Sequence, residues 1–268
     1  MRAFAAAALM AAAGCAAASN YVDSAGPRFG GAAPARAPAA SGDTVRVVAF
    51  NIAFARHTAG AIDLLRSRPG LAGADLILLQ EMDAPSTEAV AESLGLSWVY
   101  YPSVLHPTSD RDFGNAVLSR WPIIADRKII LPHLARVRSS QRVAVAATVM
   151  TDRGPVRVYS VHLATLIGNG PAARRDQLST VLADADSFPT VLIGGDFNSE
   201  TVAEVALERG YAWPTRGLPH TNSWWTFDHV LVRGLALAAD SAMGVAGNGG
   251  TSDHNPIWAV LVRTSASP

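Results

Sequence analysis

The chain has 268 residues, 49% of them hydrophobic and 16% charged, with 22 basic side chains against 22 acidic ones. This composition supplies a sizeable core and excludes a disordered chain, and the length suits one large domain without requiring two. Zero net charge excludes a basic footprint for long nucleic acids at the level of the whole chain, though not a local basic groove.

The first residues read as a targeting segment. Met1-Arg2 leads into an Ala/Leu/Met run to Ala13, followed by Gly14-Cys15. This is a charged start and a short apolar stretch, too short to span a bilayer. Cys15 is the single cysteine, so no internal disulfide can form. The A-A-G-C end resembles a bacterial lipobox, with Ala12 where Leu is usual; ordinary cleavage after a nearby A-x-A is the alternative. Both readings export the chain, as a cell-envelope lipoprotein or a periplasmic or secreted protein. Lipidated Cys15 would anchor it to a membrane. Residues 1–15 are thus read as a signal peptide of lipoprotein type. Residues 16–43, rich in Ala, Gly, Pro and Ser, read as a flexible tether. Residues 44–263 read as the domain and 264–268 as a tail.

Within the domain, Val45 to Phe50 reads as a strand ending at Asn51, and Ala61 to Arg68 as a short helix closed by Pro69-Gly70. Asp75 to Gln80 is a buried strand ending at Glu81. A Glu after such a run is costly to bury unless paired or metal-bound. Asp83 reads as exposed. Thr87 to Leu94 reads as a helix capped by Ser86 or Thr87 and stopped by Gly95. Trp98 to Tyr101 reads as a strand, His106 to Asp112 as a polar loop, and Phe113 to Ile123 as a segment with Asn115 at the head of a strand. Arg142 to Met150 and Val156 to Val161 form a hairpin around Asp152-Arg153-Gly154 and end at His162.

Pro171 to Asp186 is the clearest helix, with Leu178, Val181, Leu182 and Ala185 as its apolar stripe. Val191 to Glu200 reads V-L-I-G-G-D-F-N-S-E, a buried strand running into two glycines and then Asp196 and Asn198. Thr201 to Glu208 reads as a short helix with Ser199 as cap. The aromatic stretch Tyr211 to Trp225 reads as core cover in preference to a substrate rim. Asp228-His229 opens a strand, and G-G-T-S-D-H-N-P at 249–256 precedes the closing strand, Ile257 to Val262.

Taken alone, Asn51, Asn115 and His162 are ordinary strand-end or turn residues. The series is the signal: at least five strands end in Asn, Glu, His, Asp or Asp-x-Asn, as strand edges do when they converge on one polar cleft. Glu81, Asp196 and Asp253 offer hard oxygen donors, with neutral ones from Asn51 and Asn198. The lack of paired His and Cys disfavours zinc. Carboxylates, amides and His together fit metal-assisted attack of water on a phosphate ester.

The ordered set Asn51, Q-E at 80–81, G-N-A-V-L-S-R at 114–120, S-V-H at 160–162, G-D-F-N at 195–198, D-H-V-L at 228–231 and S-D-H at 252–254 resembles the endonuclease/exonuclease/phosphatase superfamily, the DNase-like fold. The resemblance covers roughly residues 44 to 263. It implies an α/β, four-layer α-β-β-α sandwich: two mainly antiparallel sheets face to face, with helices outside. It also implies a hydrolase using Mg²⁺, or Mn²⁺, on phosphodiesters or phosphomonoesters. Glu81 would be the main metal ligand, with Asn51 and Asp253. His254 would act as general base, oriented by Asp228, with Asp196 as the alternative base or as positioner of nucleophile or leaving group. His162 and Asn198 would hold phosphate oxygens, and Asn115 would support the site.

Many nucleases of the family carry an acid at the position of Ala53, so the resemblance argues against a two-metal site and against abasic-site DNA repair. Of the arginines able to meet a phosphate, Arg111, Arg138 and Arg142, Arg138 reads as solvated surface and Arg142 is retained. The substrate is left open between nucleic acid and a small or lipid phosphoester; no apolar hairpin suited to membrane insertion stands out. No protein partner is expected. The other reading is an inactive member of the fold acting as a binding protein, or a toxin-like nuclease subunit that needs partner chains.

Overall fold

The computed structural model describes residues 18–33, 44–106, 109–136 and 138–264. The targeting segment, Cys15 included, and residues 34–43 of the tether lie outside the described residues. Strands β1 (Ser19–Asn20) and β2 (Phe29–Gly31) precede β3 (Thr44–Asn51), helix α1 (Thr58–Ser67), β4 (Leu76–Met82), α2 (Ala84–Leu94), β5 (Ser97–His106) and β6 (Arg111–Ser119). Then come β7 (Ile123–Ile130), β8 (Val143–Thr151), β9 (Gly154–His162), α3 (Pro171–Ala185), β10 (Val191–Asp196), α4 (Glu204–Leu207) and β11 (Asp228–Arg233). β12 (Leu235–Leu237), β13 (Met243–Val245) and β14 (Ile257–Arg263) close the chain. None of the described helices is long and apolar enough to cross a membrane.

The strands form two sheets. One runs β1-β5-β6-β4-β3-β14-β12, with β2 also on β5 and β13 on β14; the other runs β11-β10-β9-β8-β7. Each holds one parallel pair, β3–β4 and β9–β10, and is otherwise antiparallel. The apolar runs of the sequence have a direct cause, because both faces of these strands are covered. Val47, Ala49, Leu76 and Leu78 point inward and meet Val145, Ala147, Val158, Leu192 and Val230 of the facing sheet. The alternate residues Val48, Phe50, Ile77 and Leu79 point outward under α1 and α2. On the other side Tyr159, Val161, Val191 and Ile193 pack beneath α3, which buries Leu178, Val181, Leu182 and Ala185. The result is an α-β-β-α sandwich.

The segment read as tether departs from that reading where it is described. Residues 18–33 run along the outer edge of β5, which β1 and β2 join as short strands. Arg28 grips Asp126 with two hydrogen bonds of 2.7 and 2.6 Å. The buried Lys128 amine donates to the carbonyls of Tyr21 and Gly26, and the Tyr21 hydroxyl donates to Asp112 at 2.7 Å. Asp83 also differs from expectation. It is buried, and its carboxylate accepts the Ser86 N–H at 2.8 Å as the cap of α2, moving the helix start forward to Ala84. Arg111 pairs with that same Asp83, so it is drawn toward α2 rather than left free for a phosphate. Trp224 and Trp225 stand 74% and 41% exposed, unlike the core cover expected of their stretch.

Candidate active site

The fold brings the polar strand ends into two rows. In one sheet Asn51, Gln80 and Asn115 are paired residues on β3, β4 and β6. In the other, His162, Asp196 and Asp228 are paired residues on β9, β10 and β11. Because the sheets face each other, the rows meet at one end of the sandwich. The buried Gln80 amide spans the sheets to Ser160 Oγ at 2.9 Å, and Ser160 Oγ donates back to the Leu79 carbonyl at 3.0 Å.

Asp196 is the hub. Its Oδ2 accepts from Asn51 Nδ2 at 3.1 Å and lies 3.4 Å from His162 Nε2 and 3.7 Å from His254 Nε2. Its Oδ1 accepts the Asn198 N–H at 2.8 Å, an Asx turn that holds Asn198 at φ 49°. The Asn198 amide donates to the Leu163 carbonyl. Burial pushes the Asp196 carboxyl up to about 7, with Asp228 adding to the rise and His254 opposing it.

His254 sits on the polar loop before β14. Ser252 Oγ accepts the His254 N–H at 3.0 Å and donates to the Asn51 carbonyl at 2.6 Å, which ties this loop to β3. The imidazole Nδ1 meets the fully buried Asp228 at 2.8 Å. Burial opposes charge on this ring, yet the Asp228 carboxylate outweighs it, and the His254 pKa is pushed up to about 10. With Nδ1 engaged by Asp228, Nε2 is the nitrogen turned to Asp196. His162 behaves oppositely. Burial, then the Arg142 charge, lower its pKa well below the usual value. Arg142 Nη1 lies 3.1 Å from Nδ1 of this neutral ring. The guanidinium can only donate, so Nδ1 accepts and the ring proton is on Nε2.

Glu81 owes its place to a β-bulge. Gln80 pairs with Asn115 and Met82 with Gly114, leaving Glu81 as the extra residue, at φ 60°. The bulge turns its carboxylate toward Asn51 Nδ2 at 3.3 Å and the Phe54 N–H at 3.1 Å. Burial raises the Glu81 pKa against the pull of Arg142 and Asn51. Asp253 is exposed, within electrostatic reach of Glu81 and His254. Asn115 is buried and donates to the Val143 carbonyl at 2.8 Å, beside Arg142, so it braces the strand that presents the arginine.

These donors fit a hard divalent cation. Asp196, Asp228 and His254 each place a ligand atom within 4.8 Å of the others, and Asp228 Oδ1 is buried with no hydrogen-bond partner. Glu81 and Asn51 add oxygens from the facing sheet. The geometry thus collects the two aspartates and the histidine as one ligand-like group, next to Asn51, Glu81 and Asp253, the set that the sequence suggested.

The model of the Endonuclease/Exonuclease/phosphatase family matches residues 48–254. The chain belongs to this family. The family's members are metal-dependent phosphoester hydrolases. Similar solved folds include D. rerio TDP2 humanised by 14 mutations, at 18% identity, TM-score 0.65, covering 82% of this chain and 99% of that one. The human Nocturnin catalytic domain with bound sulfate anion aligns at 19% identity, TM-score 0.62, over 83% of this chain and 95% of that one. A Bacteroides thetaiotaomicron mannosyl-6-phosphatase aligns at 13% identity, TM-score 0.62, over 81% and 99%. No curated protein sequence matches the chain.

The family motifs found in the sequence thus lie together, and the structure adds what they omit. Ala53, Phe54 and Ala55 all have positive φ (43°, 62° and 50°), and this turn delivers the Phe54 N–H to Glu81. Ala and Phe carry no signal for left-handed backbone. Phe113 lies against His162 and under Arg142, and Phe54 and His106 extend the same wall.

Proposed function

We propose that this protein is an exported phosphoesterase using Mg²⁺, or Mn²⁺ in its place, to hydrolyse phosphodiester or phosphomonoester bonds. The observation that carries the reading is the buried Asp196 carboxylate set between the His162 and His254 rings, at 3.4 and 3.7 Å. A divalent cation supplies Lewis-acid polarisation of a phosphoryl oxygen. Glu81, Asn51 and exposed Asp253 are the groups that would hold it, which leaves Asp196 free to take a proton. The proton released by the attacking water goes to the Asp196–His254 pair, whose facing atoms are 3.7 Å apart. Asp228 fixes the His254 ring and stabilises its charged form. Neutral His162, Asn198 and Arg142 are hydrogen-bond donors for the non-bridging oxygens, where negative charge grows in the transition state.

The test is hydrolysis by the full chain of bis-p-nitrophenyl phosphate, plasmid DNA and sphingomyelin, with Mg²⁺, Mn²⁺ or EDTA. Turnover of at least one substrate, abolished by EDTA, is expected. Glu81→Gln should raise the Mg²⁺ needed for half-maximal rate by about tenfold or more, the scale of losing a ligand or its support. Folded protein inert on all three with either metal would overturn the reading in favour of a binding role. Export rests on residues 1–15 of the sequence, and Cys15 is proposed as the lipid anchor. Radiolabelled palmitate should label the wild type and not Cys15→Ser; equal labelling would remove the anchor.

A further inference from the structure

Beside the proposed phosphate site, the surface opens into a pocket of about 210 Å³. Its floor is Arg142, the residue that faces His162. Its walls come from two loops, residues 131–136 and 138–141 after β7 and residues 163–170 directly after His162. Ala135 and Ser140 come from the first, Thr165, Ile167 and Asn169 from the second.

The walls are tied in place. The Arg136 N–H donates to the Gly168 carbonyl at 2.9 Å, and the Asn169 amide donates to the Leu134 carbonyl at 3.2 Å. Gln177 of α3 donates to the Pro132 carbonyl at 2.9 Å and accepts the Ala164 N–H at 2.8 Å. Arg174 is buried, and its guanidinium donates to the carbonyls of Ala164, Thr165 and Asn169. A cation so placed fastens one loop through three backbone oxygens. The pocket is therefore built before any ligand arrives, which spares the ordering cost of forming it.

Its chemistry is specific. Among the described residues no carboxylate lines it, so none of them offsets a cationic group. The charged side chain among its described lining residues is the Arg142 guanidinium, shared with the phosphate site. The rest is methyl and methylene surface with hydroxyls and one amide. Ile167 stands 87% exposed at the mouth, an apolar side chain left in water with room to cover a ligand. The volume falls below the roughly 300–1,000 Å³ typical of pockets for whole drug-sized ligands, and suits a single ring.

We propose, resting on the phosphoesterase reading above, that this pocket holds an uncharged, ring-sized organic group esterified to the scissile phosphate. Ala135, Thr165 and Ile167 are then specificity-determining residues. The substrate class becomes phosphoesters of neutral ring compounds, in preference to those of quaternary ammonium alcohols.

Calorimetric titration of the full chain in Mg²⁺ with inorganic phosphate, phenyl phosphate and choline phosphate tests this without requiring turnover. Wild type should bind phenyl phosphate about tenfold or more tightly than inorganic phosphate, the scale of burying one ring face. Choline phosphate should bind no better than inorganic phosphate. Ala135→Trp fills the pocket and should remove the preference while leaving inorganic phosphate binding within about twofold. Ile167→Ser, at an exposed position that folding does not need, should reduce the preference by about threefold to fivefold. A preference absent from wild type, or intact in folded Ala135→Trp and in Ile167→Ser, overturns the pocket. If inorganic phosphate still binds in that case, the phosphate site stands without it. Phenyl phosphate binding that Ala135→Trp abolishes, with no binding of inorganic phosphate, supports the pocket and removes the phosphate site. No binding of any of the three overturns both.

Discussion

His254→Asn is expected to lower phosphoester hydrolysis by about three orders of magnitude, within the 10²–10⁴-fold range of a positioned acid–base group, and to leave the fold intact. The choice of asparagine follows from the geometry. Asp228 is fully buried, its Oδ1 has no partner, and its Oδ2 is held by His254 Nδ1 at 2.8 Å. Alanine would leave that carboxylate buried without a side-chain donor, at a cost of about 1–3 kcal/mol or more, so lost activity and lost stability would be mixed. An asparagine amide can donate to Asp228 from nearly the place of Nδ1, while offering nothing that carries a proton at the position of Nε2. Asp228→Asn is the companion. It keeps the imidazole but removes the charge that raises the His254 pKa to about 10. A smaller loss is expected, about a hundredfold and at the lower end of that range, because the proton-bearing ring remains. Initial rates at saturating Mg²⁺ together with thermal melting separate the two effects. His254→Asn retaining a tenth or more of wild-type activity, with an unchanged melting temperature, would remove this residue from the chemistry.

What the sequence disclosed, and what it hid, divides by the range of the forces involved. Helix α3 was legible because its stripe of Leu178, Val181, Leu182 and Ala185 records the face it buries. The strands ending at Asn51, Glu81, His162 and Asp196 were legible because covering both faces demands unbroken apolar runs, against which a polar end stands out. Strand β7 was not recognised. Its Ala125, Asp126 and Arg127 interrupt the apolar pattern, as charge does on an edge strand. The packing of residues 18–33 was hidden for another reason. Their composition is that of a linker, but Tyr21 and Arg28 find Asp112 and Asp126, residues 91 and 98 positions away. No local window contains such pairs. At the site, the motifs named the residues but not their connections. The bulge that aims Glu81 depends on a register shift between β4 and β6, and the Arg142–His162 contact that fixes a tautomer depends on adjacent strands, β8 and β9.

The second large effect is expected at Gly195, and the neighbouring Gly194 is its control. The sequence presents the pair as equivalent. In the structure Gly195 lies at φ 140°, and a Cβ there would fall 2.1 Å from the Val161 carbonyl oxygen and 2.9 Å from Gln80 Nε2. A Cβ at Gly194 would meet the end of the Leu78 side chain at 2.8 Å and the His229 carbonyl at 3.3 Å. Backbone of a paired strand cannot yield as a leucine methyl can. Gly195→Ala must therefore separate β9 from β10 at the pair next to His162 and Asp196, and must also displace the Gln80 amide from Ser160. The expected cost is about 3 kcal/mol or more, at the upper end for a single substitution because a steric clash and a strained φ act together. Gly194→Ala should cost about 1–2 kcal/mol through overpacking alone. Urea denaturation of both variants measures the difference. Folded Gly195→Ala should also lose most of its activity, since the strand it distorts carries Asp196 as its next residue. Equal midpoints for the two variants would show that the strands absorb the methyl group, and that the close approach of β9 and β10 does not hold the site in register.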